Sequence, residues 1–454
     1  MKETRMNEHN RLTGRLRRYA KVGVNVGGTA ARAAGARIAG SGSDRENEAR
    51  LLKDMLGNLK GPLMKVAQML ATIPEAVPAE YAEELAKLQS HAPAMGWPFV
   101  KRRMAGELGR NWQNKFAGFD HEASAAASLG QVHKAQSLDG RPLACKLQYP
   151  DMDSAVEADL KQLSVVFALH RRMGAVIDTS EMSKEIAERL REELDYAREA
   201  RHMALYQNLL RGQPEIRVPG VCSSLSTRRL LTMDWLQGRS LLDFKRHSLD
   251  ERNLLARLMF NAWWRPFCAY GIIHGDPHLG NYSAYVDGKN SPLGLNLLDY
   301  GCIRIFPPRF VAGVVELYQG LRGNDRDRIV AAYESWGFEK LDNELIDILN
   351  IWARFIYGPL MDDRVRTVAD GVSAAQYGRK QAFAVHKALK QKGPLKIPRE
   401  FVFMDRAAIG LGGVFLHLGA ELNFYELFNS AIDEFSLKEV EKRQKEQLKS
   451  AGLV

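Results

Sequence analysis

Residues 274–281 read His-Gly-Asp-Pro-His-Leu-Gly-Asn, and a short stretch later 298–301 read Leu-Asp-Tyr-Gly. Asp276 and Asn281 are five positions apart, and Asp299 ends an apolar run of Leu295, Leu297 and Leu298. Metal-assisted phosphoryl transfer needs these groups: an Asp to orient or deprotonate the nucleophile, an Asn on one Mg²⁺, and a second Asp on the metal ions. The commoner forms of the two motifs are His-Arg-Asp and Asp-Phe-Gly. Here Gly275 replaces the Arg and Tyr300 the Phe, so the match is one of role and spacing. Asp-x-x-x-x-Asn alone recurs by chance. The full order of loop, β-hairpin and Asp-aromatic-Gly does so far less often, and it requires a fold that brings two loops to one point.

A chain of 454 residues suits two or three domains, or one two-lobed domain with extensions. A hydrophobic content of 45% and a charged content of 26% are those of an ordinary globular protein. The net charge of +10 favours anionic partners such as nucleotide or phospholipid, or reflects a surface rich in Lys and Arg. Cys145, Cys222, Cys268 and Cys302 are far apart, which suits a reducing compartment and argues against a zinc or disulfide framework. The most apolar stretch, Ala407 to Ala420, is short and carries His417, so no membrane span is expected. Residues 11–40 mix Arg and Lys with small apolar residues. They read either as a basic helix on an anionic membrane surface or as a loose Gly/Ala-rich arm.

Gly40-Ser-Gly-Ser-Asp44 marks a linker. Beyond it the three-to-four spacing of Leu51, Leu52, Met55, Leu56 and Leu59 predicts helix, cut into short pieces by Pro62, Pro74, Pro78 and Pro93. From about 116 to 149 the pattern predicts a strand hairpin, Gln131–Gln136 and Pro142–Tyr149. Two long helices are expected over 153–176 and 180–211, the second capped by Asp178 with Glu181. Leu230 to Leu236 reads as a strand running into Gly238, a linker between lobes. Helix follows over 241–270, then the motif segment, then further helices, with a charged, solvated tail from Leu437.

Upstream, Ala125-Ala-Ala-Ser-Leu-Gly-Gln-Val132 stands where a Gly-x-Gly-x-x-Gly-x-Val phosphate loop would stand. Ala125 and Ala127 replace two glycines and Gly130 is kept, so the loop is stiffer than an all-glycine one. Lys146 follows in a strand and matches the lysine that holds the α- and β-phosphates. It needs a carboxylate from a facing helix. Asp195 and Glu199, one helical turn apart, are the candidates.

Together these motifs resemble the UbiB/AarF-domain (ADCK-type) atypical kinase-like family. That resemblance includes Lys65-Val-Ala-Gln68 in the helical extension, where Ala67 replaces the family glycine, and Glu193-x-Asp195. It implies an α+β, two-lobed protein-kinase-like fold: a basic arm (1–45), a helical extension (46–115), an N-lobe (116–235) and a C-lobe (236–454). By resemblance, Lys146 pairs with Glu199, and Glu193 and Asp195 face the extension, with Lys65 near Glu193 and Gln68 beside it. Ala125, Ala126, Ala127, Ser128, Gly130 and Val132 cover the ATP phosphates, and Met233 to Trp235 form the adenine hinge. Asn281 and Asp299 hold Mg²⁺, and Asp276 takes the base position.

The family extension lies over the groove where a protein kinase binds peptide, which implies an ATPase or small-molecule kinase. The resemblance further implies a role in ubiquinone or other prenyl-lipid biosynthesis. The expected partners are nucleotide, anionic phospholipid, prenyl-phenol or quinone lipids and quinone-biosynthesis proteins, with no nucleic acid. The expected location is the cytoplasm or the inner-membrane surface. His274-Gly-Asp276 also fits an aminoglycoside or choline kinase loop, and a catalytically silent kinase-like scaffold is the other reading.

Overall fold

The computed structural model describes residues 95–127, 129–158, 160, 161, 164, 180–369 and 399–454. The basic arm, Lys65, Gln68, Ser128 and the expected cap at Asp178 lie outside the described residues.

In the smaller lobe, α1 (Trp97–Leu108) precedes strands β1 (Gly118–Phe119), β2 (Ala125–Ala127), β3 (Gly130–Gln136) and β4 (Pro142–Gln148). The predicted hairpin is β3 paired antiparallel with β4. Side chains alternate across a strand, and β4 uses both faces. Leu143, Cys145 and Leu147 pack with Phe99, Val100 and Met104 of α1 in one core, while Ala144 faces the other, larger core.

The single helix expected over 180–211 is two. α2 (Ser180–Glu192) stops before Glu193, and α3 (Tyr196–Leu209) begins after Asp195. Asp195 Oδ1 accepts the Arg198 backbone N–H at 3.1 Å. A short carboxylate that can bond a free backbone N–H favours the start of a new helix over continuation of the old one. After β5 (Ile216–Arg217), β6 (Leu230–Asp234) joins the edge of β4 and completes the sheet in the order β1-β3-β4-β6, with β2 also on β3.

The larger lobe begins past β7 (Arg239–Ser240). A capping box between Ser248 and Glu251 starts α4 (Leu249–Tyr270), and Gly271 ends it at φ 67°. Such a positive φ is nearly free for glycine alone. α4 is the central helix of this lobe, with Leu255, Met259, Phe260, Trp263 and Phe267 at most 1% exposed. Next come β8 (Ile272–His274), β9 (Tyr282–Val286), β10 (Pro292–Leu297) and β11 (Ile303–Ile305). β9 and β10 form the hairpin expected between the two motifs, inside a sheet ordered β5-β10-β9-β7. β8 and β11 form a separate two-stranded antiparallel ribbon.

Helices α5 (Pro308–Gly323), α6 (Arg326–Ser335), α7 (Asn343–Met361), α8 (Arg399–Leu418), α9 (Phe424–Ile432) and α10 (Leu437–Ser450) follow. The tail from Leu437 is therefore not solvated throughout. α10 buries Val440 and Leu448, and Ala451 beyond it is buried too. Its charged residues cover the outer face, so composition hid a narrow inward stripe of Val440 and Leu448, two turns apart. Among the described residues, no helix is long and apolar enough to cross a membrane.

Candidate active site

Strand register places the first group. Val132 and Leu231 are the cross-strand partners of Lys146, and Lys134 and Met233 those of Ala144. The two-residue alternation puts Val132, Ala144, Lys146, Leu231 and Met233 on one face of the sheet. This is the face opposite α1, and α3 lies on the same side, with Tyr196 and Met203 in one core with Ala144, Leu231 and Met233. Of the two carboxylates open in the sequence, the structure selects Glu199. Lys146 Nζ donates to both its oxygens, at 2.7 and 2.9 Å, and to Asp299 Oδ2 at 3.3 Å. Asp195 caps α3 and shares no helical face with Glu199.

Burial opposes the charge on Lys146. Asp299 and Glu199 together outweigh it and hold the ammonium well above the usual lysine range. Burial holds the Glu199 carboxyl above its ordinary range, with Lys146 offsetting only part of that and Asp299 adding to it. With three hydrogen bonds around one ammonium, the pair is ionic.

The phosphate-loop segment is a hairpin, β2 against β3, with Ala125 opposite Val132 and Ala127 opposite Gly130. Gly130 is needed for close approach: a Cβ there would lie 2.2 Å from the Leu147 carbonyl oxygen and 2.8 Å from the Tyr196 hydroxyl. That hydroxyl is buried and has no hydrogen-bond partner among the described residues, and the Tyr196 ring lies 5.2 Å from Lys146 Nζ. At the hinge, the Trp235 N–H donates to the Pro142 carbonyl at 3.0 Å, and Lys134 Nζ stands 5.4 Å over the Trp235 ring.

The second half of the site is built on β8 and β11. Gly275 N–H donates to the Cys302 carbonyl at 3.0 Å, which holds the two motif loops side by side. His274 Nε2 carries a proton to the Asp299 carbonyl, and its Nδ1 is 3.0 Å from the Tyr282 hydroxyl. That hydroxyl donates to the Asp276 carbonyl at 2.8 Å. Asn281 is tied to the second loop by its carbonyl, which accepts the Leu298 N–H at 2.9 Å. Its side-chain N–H reaches the Asp276 carbonyl at 3.4 Å, leaving Oδ1 on the side away from that bond.

Glu193 lies over the Asp-Tyr-Gly turn. A Cβ on Gly301 would be 3.6 Å from Glu193 Cγ, and the Cys302 thiol is 3.5 Å from Glu193 Oε1. Its relation to Lys65 lies outside the described residues. His202 was not singled out from sequence. Its Nδ1–H donates to the Tyr300 carbonyl at 3.1 Å, linking α3 to the Asp-Tyr-Gly loop. A buried His on an amphipathic helix carries no spacing signature that would have marked it.

The oxygen donors suit a hard cation. Asp299 Oδ1 accepts the Gly301 N–H at 2.9 Å and Oδ2 accepts from Lys146, and the side chain is 36% exposed. One carboxylate and one amide oxygen are the hard oxygen donors that Mg²⁺ prefers.

A profile of the ABC1 atypical kinase-like domain matches residues 87–333. The chain belongs to this family. Among its relatives is an uncharacterised Synechocystis protein, sll0005, 29% identical over 82% of this chain and 53% of that protein. Another is the mitochondrial atypical kinase COQ8 of Saccharomyces cerevisiae, 28% identical over 65% of this chain and 60% of that one. A third, AarF domain-containing protein kinase 1 of Xenopus laevis, is 28% identical over 62% of this chain and 54% of that protein. The chain thus spans little more than half the length of these relatives. The solved structure of Rv3197 with erythromycin, from Mycobacterium tuberculosis, aligns with a TM-score of 0.57 at 25% identity, over 86% of this chain and 96% of that one. The UbiB/AarF resemblance and the two-lobed kinase-like fold expected from the motifs are both borne out.

Proposed function

We propose that this ABC1-family chain binds Mg-ATP and works as an atypical kinase or ATPase of the UbiB type, supporting ubiquinone or related prenyl-lipid metabolism at a membrane surface. The observation that carries the reading is the contact of Lys146 with both Glu199 and Asp299. It joins the sheet, α3 and the Asp-Tyr-Gly loop around the point where nucleotide phosphates would lie. An active phosphotransferase of this class needs that Lys–Glu pair and the loop Asp in place together.

In this reading Lys146 holds the α- and β-phosphates, and Val132, Ala144 and Met233 with Trp235 line the base. Asn281 and Asp299 would hold Mg²⁺, which when bound neutralises charge on the phosphoryl oxygens. The Asp276 carboxylate takes the proton from the attacking water or hydroxyl. The membrane part of the proposal is supported by the net charge of +10 and the basic residues of 11–40, with peripheral attachment to anionic phospholipid.

The test is ATP hydrolysis by the purified protein, with and without phenolic quinone precursors and vesicles of anionic phospholipid. Stimulation by either is the expected result. Phosphate appearing on an unrelated small molecule would favour the aminoglycoside or choline kinase type. Asp299→Asn is expected to abolish Mg²⁺-dependent nucleotide binding while the fold persists, and unchanged affinity in that variant would defeat the metal assignment.

A further inference from the structure

The inward stripe of α10 runs Val440, Gln444, Leu448, about one residue per turn, with Gln444 half-buried. A polar residue stands in the middle of an apolar face. Its amide nitrogen has two hydrogens, and both are used: Gln444 Nε2 donates to the Tyr270 carbonyl and to the Phe306 carbonyl, each at 2.8 Å. Tyr270 is the last residue of α4, where a helix carbonyl has no partner of its own. Phe306 is the first residue beyond β11. Between them, the Phe306 N–H donates to the Gly271 carbonyl at 2.8 Å. A Cβ at Gly271 would sit 2.7 Å from Gln444 Nε2, so the glycine also makes room for the amide.

These contacts close one end of the β8–β11 ribbon. The other end carries the reacting groups, with β8 running into Asp276 and β11 leaving Asp299 through Gly301. The ribbon has three residue pairs, roughly 10 Å of strand. Two isolated strands are marginally stable and depend on what packs at their ends. α10 is itself anchored. The Gly452 N–H bonds the Lys449 carbonyl and the Leu453 N–H the Leu448 carbonyl, the closing pair of a Schellman turn, and Leu453 packs on the main core. A Cβ at Gly452 would lie 3.8 Å from Cδ of Arg201 on α3, the helix that carries Glu199.

We infer that Gln444 is a positioning residue: through the β8–β11 ribbon it sets Asp276 against Asp299, and α10 ties that ribbon to the helix holding Glu199. The inference rests on the Mg-ATP reading above. It is tested in the full chain with Gln444→Met, which keeps the volume and removes both donors, and Gln444→Lys, which restores a donor.

Misplacing reacting groups by a fraction of an ångström costs rate more than binding, so Gln444→Met is expected to lower kcat about tenfold with KM for ATP within about twofold. Gln444→Lys regains most of the loss. If Gln444→Met does not fold, Gln444→Asn, whose shorter amide reaches one carbonyl at most, is expected to give an intermediate kcat. A lowered Tm with wild-type kcat would make Gln444 merely structural and overturn the inference. Wild-type protein that neither binds nor hydrolyses Mg-ATP would defeat the functional reading itself. Wild-type turnover shared by Gln444→Met or Gln444→Asn defeats only the positioning role.

Discussion

The two halves of the site hold their charged groups by different means. On the sheet side, Lys146 is fixed by other charges, with buried Glu199 at 2.7 Å and partly exposed Asp299 at 3.3 Å. On the ribbon side, the backbone carbonyls of Asp276 and Asp299 are held by neutral bonds from Tyr282 and His274, and the Gly301 amide supports the Asp299 carboxylate that reaches across to Lys146. A buried ion pair is expensive to assemble and more expensive to break, because removal of one partner strands the other. A neutral network loses only a hydrogen bond or two at a time. The sheet side therefore acts as a switch-like unit, and the ribbon side as a graded one.

The largest effect is expected from breaking the ion pair. Lys146→Met leaves Glu199 buried without its cation and should cost about 3–5 kcal/mol, read by urea unfolding at pH 7. Adding Glu199→Leu should return part of that cost, since no charge is then left stranded. A double variant less stable than Lys146→Met would show that the pair stabilises the fold outright and would end the contrast with the ribbon side.

A smaller effect is expected from Tyr282→Phe. The hydroxyl donates to the Asp276 carbonyl and faces His274 Nδ1, so its loss removes the shorter of that carbonyl's two side-chain bonds and keeps the 3.4 Å one from Asn281, at a cost of about 1 kcal/mol. Turnover should fall while nucleotide affinity stays near wild type, because the hydroxyl bonds the Asp276 backbone rather than Lys146 or the side chains proposed to hold Mg²⁺. A collapse of affinity equal to that of Asp299→Asn would mean the two halves are one network.

Local motifs made the reacting groups legible: Asp276, Asn281, Asp299 and Lys146 sit in short patterns whose chemistry dictates their spacing. The hairpins β3–β4 and β9–β10 were legible for a similar reason, since alternation and turn residues act over a few positions. The break at Glu193–Asp195 was not, because the apolar period of Ile186, Leu190 and Leu194 runs straight into it, and only Asp195's choice to cap α3 ends the helix. The choice of Glu199 over Asp195 depended on that break. Tyr282, His202 and Gln444 were invisible for another reason. Each acts on a backbone carbonyl distant in sequence or across a turn, and a carbonyl has no sequence signature. The lysine and glutamine of the extension, Lys65 and Gln68, lie outside the described residues.

The smallest effect at neutral pH concerns the residue that joins the two halves. His202 rises from the helix of Glu199 and donates to the carbonyl of Tyr300, beside Asp299. Burial, with the charges of Arg198, Arg304 and Arg201, pushes its pKa from the ordinary 6.5 down to about 3, against the backbone bond that raises it. The unfolded chain thus takes up a proton below pH 6.5 that the folded chain refuses until about pH 3. Stability from this group is intact above pH 6.5 and is lost as pH falls toward 3, by at most about 1.4 kcal/mol per pH unit. His202→Gln keeps an N–H for the Tyr300 carbonyl and removes the titration. Its unfolding free energy at pH 7.5 should lie close to wild type, and its decline between pH 6 and pH 4 should be shallower by up to about that slope. His133 and His274 are also held down by burial, so some acid loss persists in the variant. An unchanged acid slope would mean that His202 is protonated in the folded protein, and that the junction between the halves is charged as the sheet side is.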